Sequence, residues 1–288
     1  MEKPVALKDI LVHLDARESS TPRLRLAMEL AGRHASRLTA LFVDEWSLEQ
    51  LETRATAEMG LAAAGDVARL DRSVAADIEH RAIRLRTTLV DFQQKHGLEF
   101  EWLQSEEPAD AAVSHLAPYR DLCILGHDPV FTGSALHRGF CEQLVFSTVT
   151  PILFVPGGSR IASLGRRIVV AWDASRTAAR AVNDALALIE GADQTTLVNV
   201  DCGLRPNGGE SLDLLRHRLG RRGARVDVVQ VRAAAKSIAA ALQAKAHELG
   251  ADLLVAGAFG HSRLKERIFG GVSRDLLQNM SLPMLMSH

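Results

Sequence analysis

Apolar residues along this chain gather in short runs, and the runs come in two matching sets. "DILVHL" (9–14), "LTALFV" (38–43), "DLCILG" (121–126) and "PILFV" (151–155) make the first set. "RIVVAW" (167–172), "TTLVNV" (195–200), "DLLVAG" (252–257) and "PMLMS" (283–287) make the second. Runs this short, with little polar alternation, predict strands buried on both faces, as in a parallel sheet. Between them the spacing changes to three and four. Leu24, Leu26, Ala27, Leu30 and Ala31 mark one amphipathic helix. Ala178, Ala181, Val182, Ala185, Leu186 and Ile189 mark its counterpart.

The two sets are a repeat. Each half opens on a strand that ends in Asp, Asp15 in one and Asp173 in the other, an offset of 158. Gly126 and Gly257 end the corresponding later strands at an offset of 131. The first half therefore carries about 27 extra residues, within 45–95. Val67, Leu70, Val74, Ile78, Ala82, Leu85, Leu89 and Phe92 predict one long helix over much of that segment. The Gly-rich stretch "VPGGSRIASLGRR" (155–167) reads as the linker. Strands alternating with helices predict an α/β chain of two domains, 1–156 and 166–288. Each is expected to be a five-stranded parallel sheet, order 3-2-1-4-5, with helices on both faces.

The last strand of each half would be an edge in such a sheet. Both candidates are apolar and lack the charges that guard an edge. Each follows a proline, which suits an edge strand's start. We expect Ile152, Phe154, Met284 and Met286 at the contact between the halves, with their strands antiparallel. The chain would then be a pseudo-dimer; a homodimer through another surface stays open.

Chemistry concentrates after "DLLVA", in "GAFGHSRLKERIFGG" (257–271). Ligands in open α/β sheets sit beyond the carboxyl ends of the strands, where strand order reverses. Asp173 and Gly257 converge there. Gly257, Gly260, Gly270 and Gly271 let backbone N–H groups approach an anion, and the pair Gly270–Gly271 precedes a predicted helix. His261, Arg263, Lys265 and Arg267 face one acid, Glu266, in a chain of net charge -1. The cationic character is local, which suits a phosphate and gives no bulk attraction to nucleic acid or membrane.

This constellation resembles the nucleotide-binding members of the universal stress protein family, in the tandem form. Their pattern is Gly, two residues, Gly, nine residues, Gly, then Ser or Thr. The resemblance implies a cytoplasmic stress-response protein that binds ATP or a related adenine nucleotide as a regulatory ligand, with Mg2+ as an optional companion. It places Asp173 near the ribose, Val200 at the adenine, Gly257, Gly260, Gly270 and Gly271 on the phosphates, and Ser273 as a supporting hydroxyl. Gly271 departs from the pattern, and its missing hydroxyl would weaken ATP by about 10-fold or more. An interaction protein without nucleotide, or a slow ATPase, are the alternatives.

The first copy, "GHDPVFTGSALHRGF" (126–140), departs further. Pro129 replaces Gly260 and removes an N–H; Phe140 replaces Gly271. Nucleotide is therefore expected in the second half only.

The remaining signals are weaker. The basic run 216–227 reads as the solvated end of a helix, without the interleaved aromatics of a single-strand binder. His115, His127 and His137 beside Asp128 match no metal-ligand spacing, so no metal site is expected. No Gly-x-Gly-x-x-Gly, Walker or Gly-x-Ser-x-Gly motif occurs, and no catalytic residue set emerges. Three cysteines without a CxxC pair read as buried thiols of a reducing compartment. No apolar run approaches the roughly 20 residues of a membrane span.

Overall fold

Ten strands form one sheet in which two five-stranded units lie side by side. The computed structural model describes residues 7–43, 64–127, 140–158, 161, 163–201, 208–233, 238–258 and 271–288. In the first half the order is β1 (Asp9–Leu14), α1 (Ser20–His34), β2 (Arg37–Val43), α2 (Ala64–His96), β3 (Phe100–Ser105), α3 (Ala109–Leu116), β4 (Leu122–His127), α4 (Phe140–Ser147) and β5 (Ile152–Pro156). The second half follows with β6 (Arg167–Ala171), α5 (Arg176–Asp184), α6 (Leu186–Glu190), β7 (Gln194–Asp201), α7 (Gly208–Gly220), β8 (Val226–Arg232), α8 (Ile238–Glu248), β9 (Leu253–Gly257), α9 (Val272–Gln278) and β10 (Met284–Ser287).

Within each half every strand pairing is parallel, and the spatial order is the expected 3-2-1-4-5. The long helix appears as α2, of 33 residues. One expected helix is broken. The counterpart of α1 stops at Asp184 and resumes at Leu186, because Ala185 leaves the helical well at φ -87 and ψ 0. Backbone bonds from Leu188 and Ile189 to the Ala185 carbonyl carry the chain around the break. No proline or glycine sits there, which is why the apolar spacing read straight through it.

Adjacent residues of a strand enter different cores, as strand geometry requires. Ile10, Val12, Ile168, Val170, Leu253 and Leu285 belong to one buried cluster. Leu11, Val169, Leu254, Phe154 and Met284 belong to the other, on the opposite face. Each cluster runs through both halves.

The halves join where β5 and β10 pair antiparallel, with Met284 opposite Phe154 and Met286 opposite Ile152. Every one of those four side chains is buried. Around the seam, Arg274 Nε donates to Glu142 Oε1 at 2.9 Å. The rings of Phe146 and His288 meet edge to face, 4.8 Å apart. Arg180 Nη2 donates to the Val149 carbonyl.

One device recurs at the amino ends of the strands. Asp121 Oδ2 accepts from the backbone N–H groups of Lys8 and Asp9, at 2.6 and 3.0 Å. Asp252 Oδ1 accepts from those of Arg166 and Arg167, at 3.1 and 3.0 Å. In both halves the clamp fixes the start of the central strand to the start of its neighbour.

Candidate functional site

The strand order reverses between β6 and β9, so the carboxyl ends of these strands, with β7 beside them, frame the crevice predicted for a ligand. Three of the expected residues come to that rim. Asp173 follows β6 and is exposed; its Oδ1 accepts from the Ser175 N–H at 2.9 Å. Val200, partly buried, lies near the end of β7 opposite Val231. Gly257 ends β9.

The Ser/Thr-rich turn after Asp173 is legible in the sequence, but its conformation is not. Ala174 sits in the left-handed region at φ 59. That conformation lets Ser175 cap α5, its Oγ accepting from the Ala178 N–H at 3.1 Å. Trp172 braces the turn from below. Its backbone N–H extends the ladder to the Val198 carbonyl, and its indole N–H donates to Ser211 Oγ on α7 at 3.2 Å. Asn199 Nδ2 donates to the Trp172 carbonyl at 2.7 Å. The tell-tale in the sequence was "DAS", an Asp-turn followed by an N-cap serine.

Gly257 has a structural duty that the motif did not announce. A Cβ built on it would stand 2.3 Å from the Ala178 nitrogen and 2.4 Å from the Thr177 carbonyl carbon. The missing side chain lets the first turn of α5 rest directly on the end of β9. Gly271 precedes α9 with φ -63, ψ 126, and Ser273 in the first turn of that helix is buried. Gly260 and Gly270, with the basic residues between them, lie outside the described residues.

The same rim of the first half is built from different parts. Asp15, at the end of β1, is buried at 5% exposure. Its Oδ1 accepts from Ser20 Oγ and the Arg17 N–H, each at 2.8 Å. Arg23, on α1, is buried at 2% exposure. Its Nη2 donates to Asp15 Oδ2 at 3.2 Å and to Ser20 Oγ at 2.8 Å. Burial alone would push the Asp15 carboxyl up. The Arg23 guanidinium, His13, Arg17 and the Ser20 hydroxyl outweigh it and hold the carboxyl well below the usual carboxylate range. Burial pulls Arg23 down in turn, against the opposing charge of Asp15. A guanidinium keeps its proton inside proteins, so the pair is ionised. His13, next to the last residue of β1, and His127, which ends β4, are buried too. Pro129 lies outside the described residues; Phe140 begins α4.

Among the described residues no group of three His, Cys, Asp or Glu is placed to hold a metal ion. Among them, too, no helix is long and apolar enough to cross a membrane.

Residues 165–288 match the model of the universal stress protein family. No curated protein matches the chain in sequence. Among solved structures, a universal stress protein from Archaeoglobus fulgidus DSM 4304 superposes with a TM-score of 0.67 over 97% of this chain and 96% of its own, at 15% identity. A putative universal stress protein from Pseudomonas aeruginosa UCBPP-PA14 does so with a TM-score of 0.57 over 98% and 93%, also at 15% identity. At such identity these likenesses speak for the fold, and they span both halves. A universal stress protein in complex with cAMP is 27% identical, covering 44% of this chain and 98% of its own, with a TM-score of 0.37. Residues 165–288 belong to the universal stress protein family by sequence, and the first half repeats the same fold, as in the tandem arrangement of the Archaeoglobus fulgidus structure.

Proposed function

We propose that the chain is a cytoplasmic stress-response protein that holds an adenine nucleotide at the rim of its second half and uses it as a regulatory ligand. The observation that carries this reading is the convergence of Asp173, Val200 and Gly257 on the reversal point between β6 and β9. The sequence continues from that point into Gly260, Gly270 and Gly271 at the family's spacing. The proposed roles are Asp173 at the ribose, Val200 at the base, the glycines at the phosphates and Ser273 in support. The proposed units are 1–156 and 166–288, and the second alone takes nucleotide. The sequence carries none of the catalytic motifs sought in it, which favours a switch over rapid turnover.

A second reading, an interaction protein of the same fold without nucleotide, draws on Gly271 standing where a hydroxyl is usual. It also draws on the packing duty of Gly257. Calorimetric titration with ATP, ADP and cAMP separates the two. The first reading expects one site per chain, lost in Gly260→Val while circular dichroism is unchanged. No heat with any of the three nucleotides favours the second. Analysis of small molecules released from protein purified without added ligand gives the independent check.

A further inference from the structure

Of the four glycines in the second half's motif, the first half retains two, and one of these is Gly126. A Cβ built on Gly126 would stand 1.5 Å from Arg23 Nη1 and 2.7 Å from its Cζ. No backbone atom is among the three nearest, in contrast to Gly257, whose neighbours are the backbone of Thr177 and Ala178. The two halves therefore use the same bare position differently. The second rests a helix on it, and the first rests a guanidinium there.

The offset of 158 that relates the central strands and their following helices sets Arg23 opposite Ala181. A small residue thus stands in the second half where the first carries the largest fully buried side chain among the described residues. The guanidinium reaches from α1 to the two strand ends that flank the reversal of order. It bonds Asp15 after β1 and lies over Gly126 in β4. Buried charge is tolerated where it is paired and hydrogen-bonded, and the carboxylate of Asp15 with the hydroxyl of Ser20 meets that condition. Asp15 is the repeat's counterpart of Asp173, which is exposed. The residue proposed to meet a ligand in one half is thus already engaged in the other.

We infer that Arg23 is the resident occupant of the first half's crevice. It fills the space between the ends of β1 and β4 from within and excludes a small molecule from that place. The occupant has the right chemistry for the place: a planar cation that bridges the Asp carboxylate at one strand end and the bare backbone at the other. Gly126 is retained for Arg23, not for a phosphate.

The test is made on the intact chain labelled with 15N-arginine, with the Arg23 Nε–H resonance assigned through bonds from its backbone. We expect this proton to exchange with water at least 100-fold more slowly than those of exposed arginines. We expect that protection to persist in millimolar ATP, ADP or cAMP. Exchange at the rate of exposed arginines overturns the inference, and so does loss of protection on adding any nucleotide. Failure of nucleotide to bind the second half leaves the protection in place, so it counts against the functional reading alone. A second measurement is a thermodynamic cycle. Gly126→Ala should lower the melting temperature in the parent chain and have little effect in an Arg23→Ala background. Equal effects in the two backgrounds overturn the inference. Should Arg23→Ala not fold, the exchange measurement on the parent chain decides.

Discussion

Phe154 of β5 stands opposite Met284 of β10 in an antiparallel pair, and both side chains are fully enclosed. This pairing turns two edges into the middle of a sheet. Placing a carboxylate there removes a large apolar side chain and buries a charge with no partner provided for it. We expect Phe154→Asp to cost more than the roughly 3–5 kcal/mol of a Phe truncation in a core. Urea unfolding followed by circular dichroism checks it. A midpoint within error of the parent would contradict a seam that holds the halves together.

Gly257 offers a sharper contrast. Its neighbours at 2.3 and 2.4 Å are backbone atoms of α5, which cannot rotate away as a side chain would. Gly257→Ala should destabilise the ligand-free protein by about 1–3 kcal/mol, or more. Gly32, inside α1, is the control, because nothing lies within 4 Å of a Cβ there. Gly32→Ala should stabilise by about 0.5–1 kcal/mol through helix propensity. The same direction of change in both variants would refute the packing role of Gly257.

The ion pair at Asp15 sets an acid limit. In the unfolded chain this carboxyl takes its proton near the ordinary aspartate value of about 3.9. In the fold it does so at lower pH, because Arg23, His13, Arg17 and Ser20 outweigh the effect of burial. Between those two values the unfolded chain binds more protons, so stability falls as pH falls. The contribution is complete above about pH 5 and lost progressively towards the depressed folded value. Asp15→Asn should lose about 3–5 kcal/mol at pH 7, since it leaves a buried guanidinium without its counter-charge. It should also flatten the acid slope of the remaining stability. Urea melts from pH 3 to pH 7 measure both, and parallel pH profiles for parent and variant would exclude the pair as the source.

Burial pushes the thiols of Cys123 and Cys141 up to about 12. At pH 8 only about one in ten thousand would be thiolate, the form that reacts. In a Cys202→Ser background, native protein should resist iodoacetamide for hours, and denatured protein should take up two equivalents. Rapid labelling of either thiol in the native chain would contradict their placement.

Much of this fold was legible because both faces of the sheet are covered, so strands appear as plain apolar runs. The repeat then supplied the order, and the bare apolar edges "PILFV" and "PMLMS" supplied the seam. What the sequence hid were features that depend on how far a helix stands from the sheet. Gly257 looked like a ligand glycine, and its nearest neighbours are helix backbone. The apolar spacing that marks α1 assigns no role to Arg23. Its burial could have been suspected, since Ser20, Arg23, Ala27 and Leu30 step by three and four along the face that also carries Leu24. The break at Ala185 had no marker at all, because alanine favours the helix that it interrupts there.

The clamps made by Asp121 and Asp252 have one further consequence. They lie at the rim opposite the reversal point, and they are the same in both halves down to the pair of N–H groups each one holds. At the other rim the halves have parted company: a buried ion pair in one, an exposed Asp173 at the head of a capped turn in the other. The halves are therefore alike at one end of the molecule and differ at the other. A duplicated chain built this way can let one copy's rim drift while the clamps that hold its strand starts stay as they are, because those clamps lie at the far end of the strands.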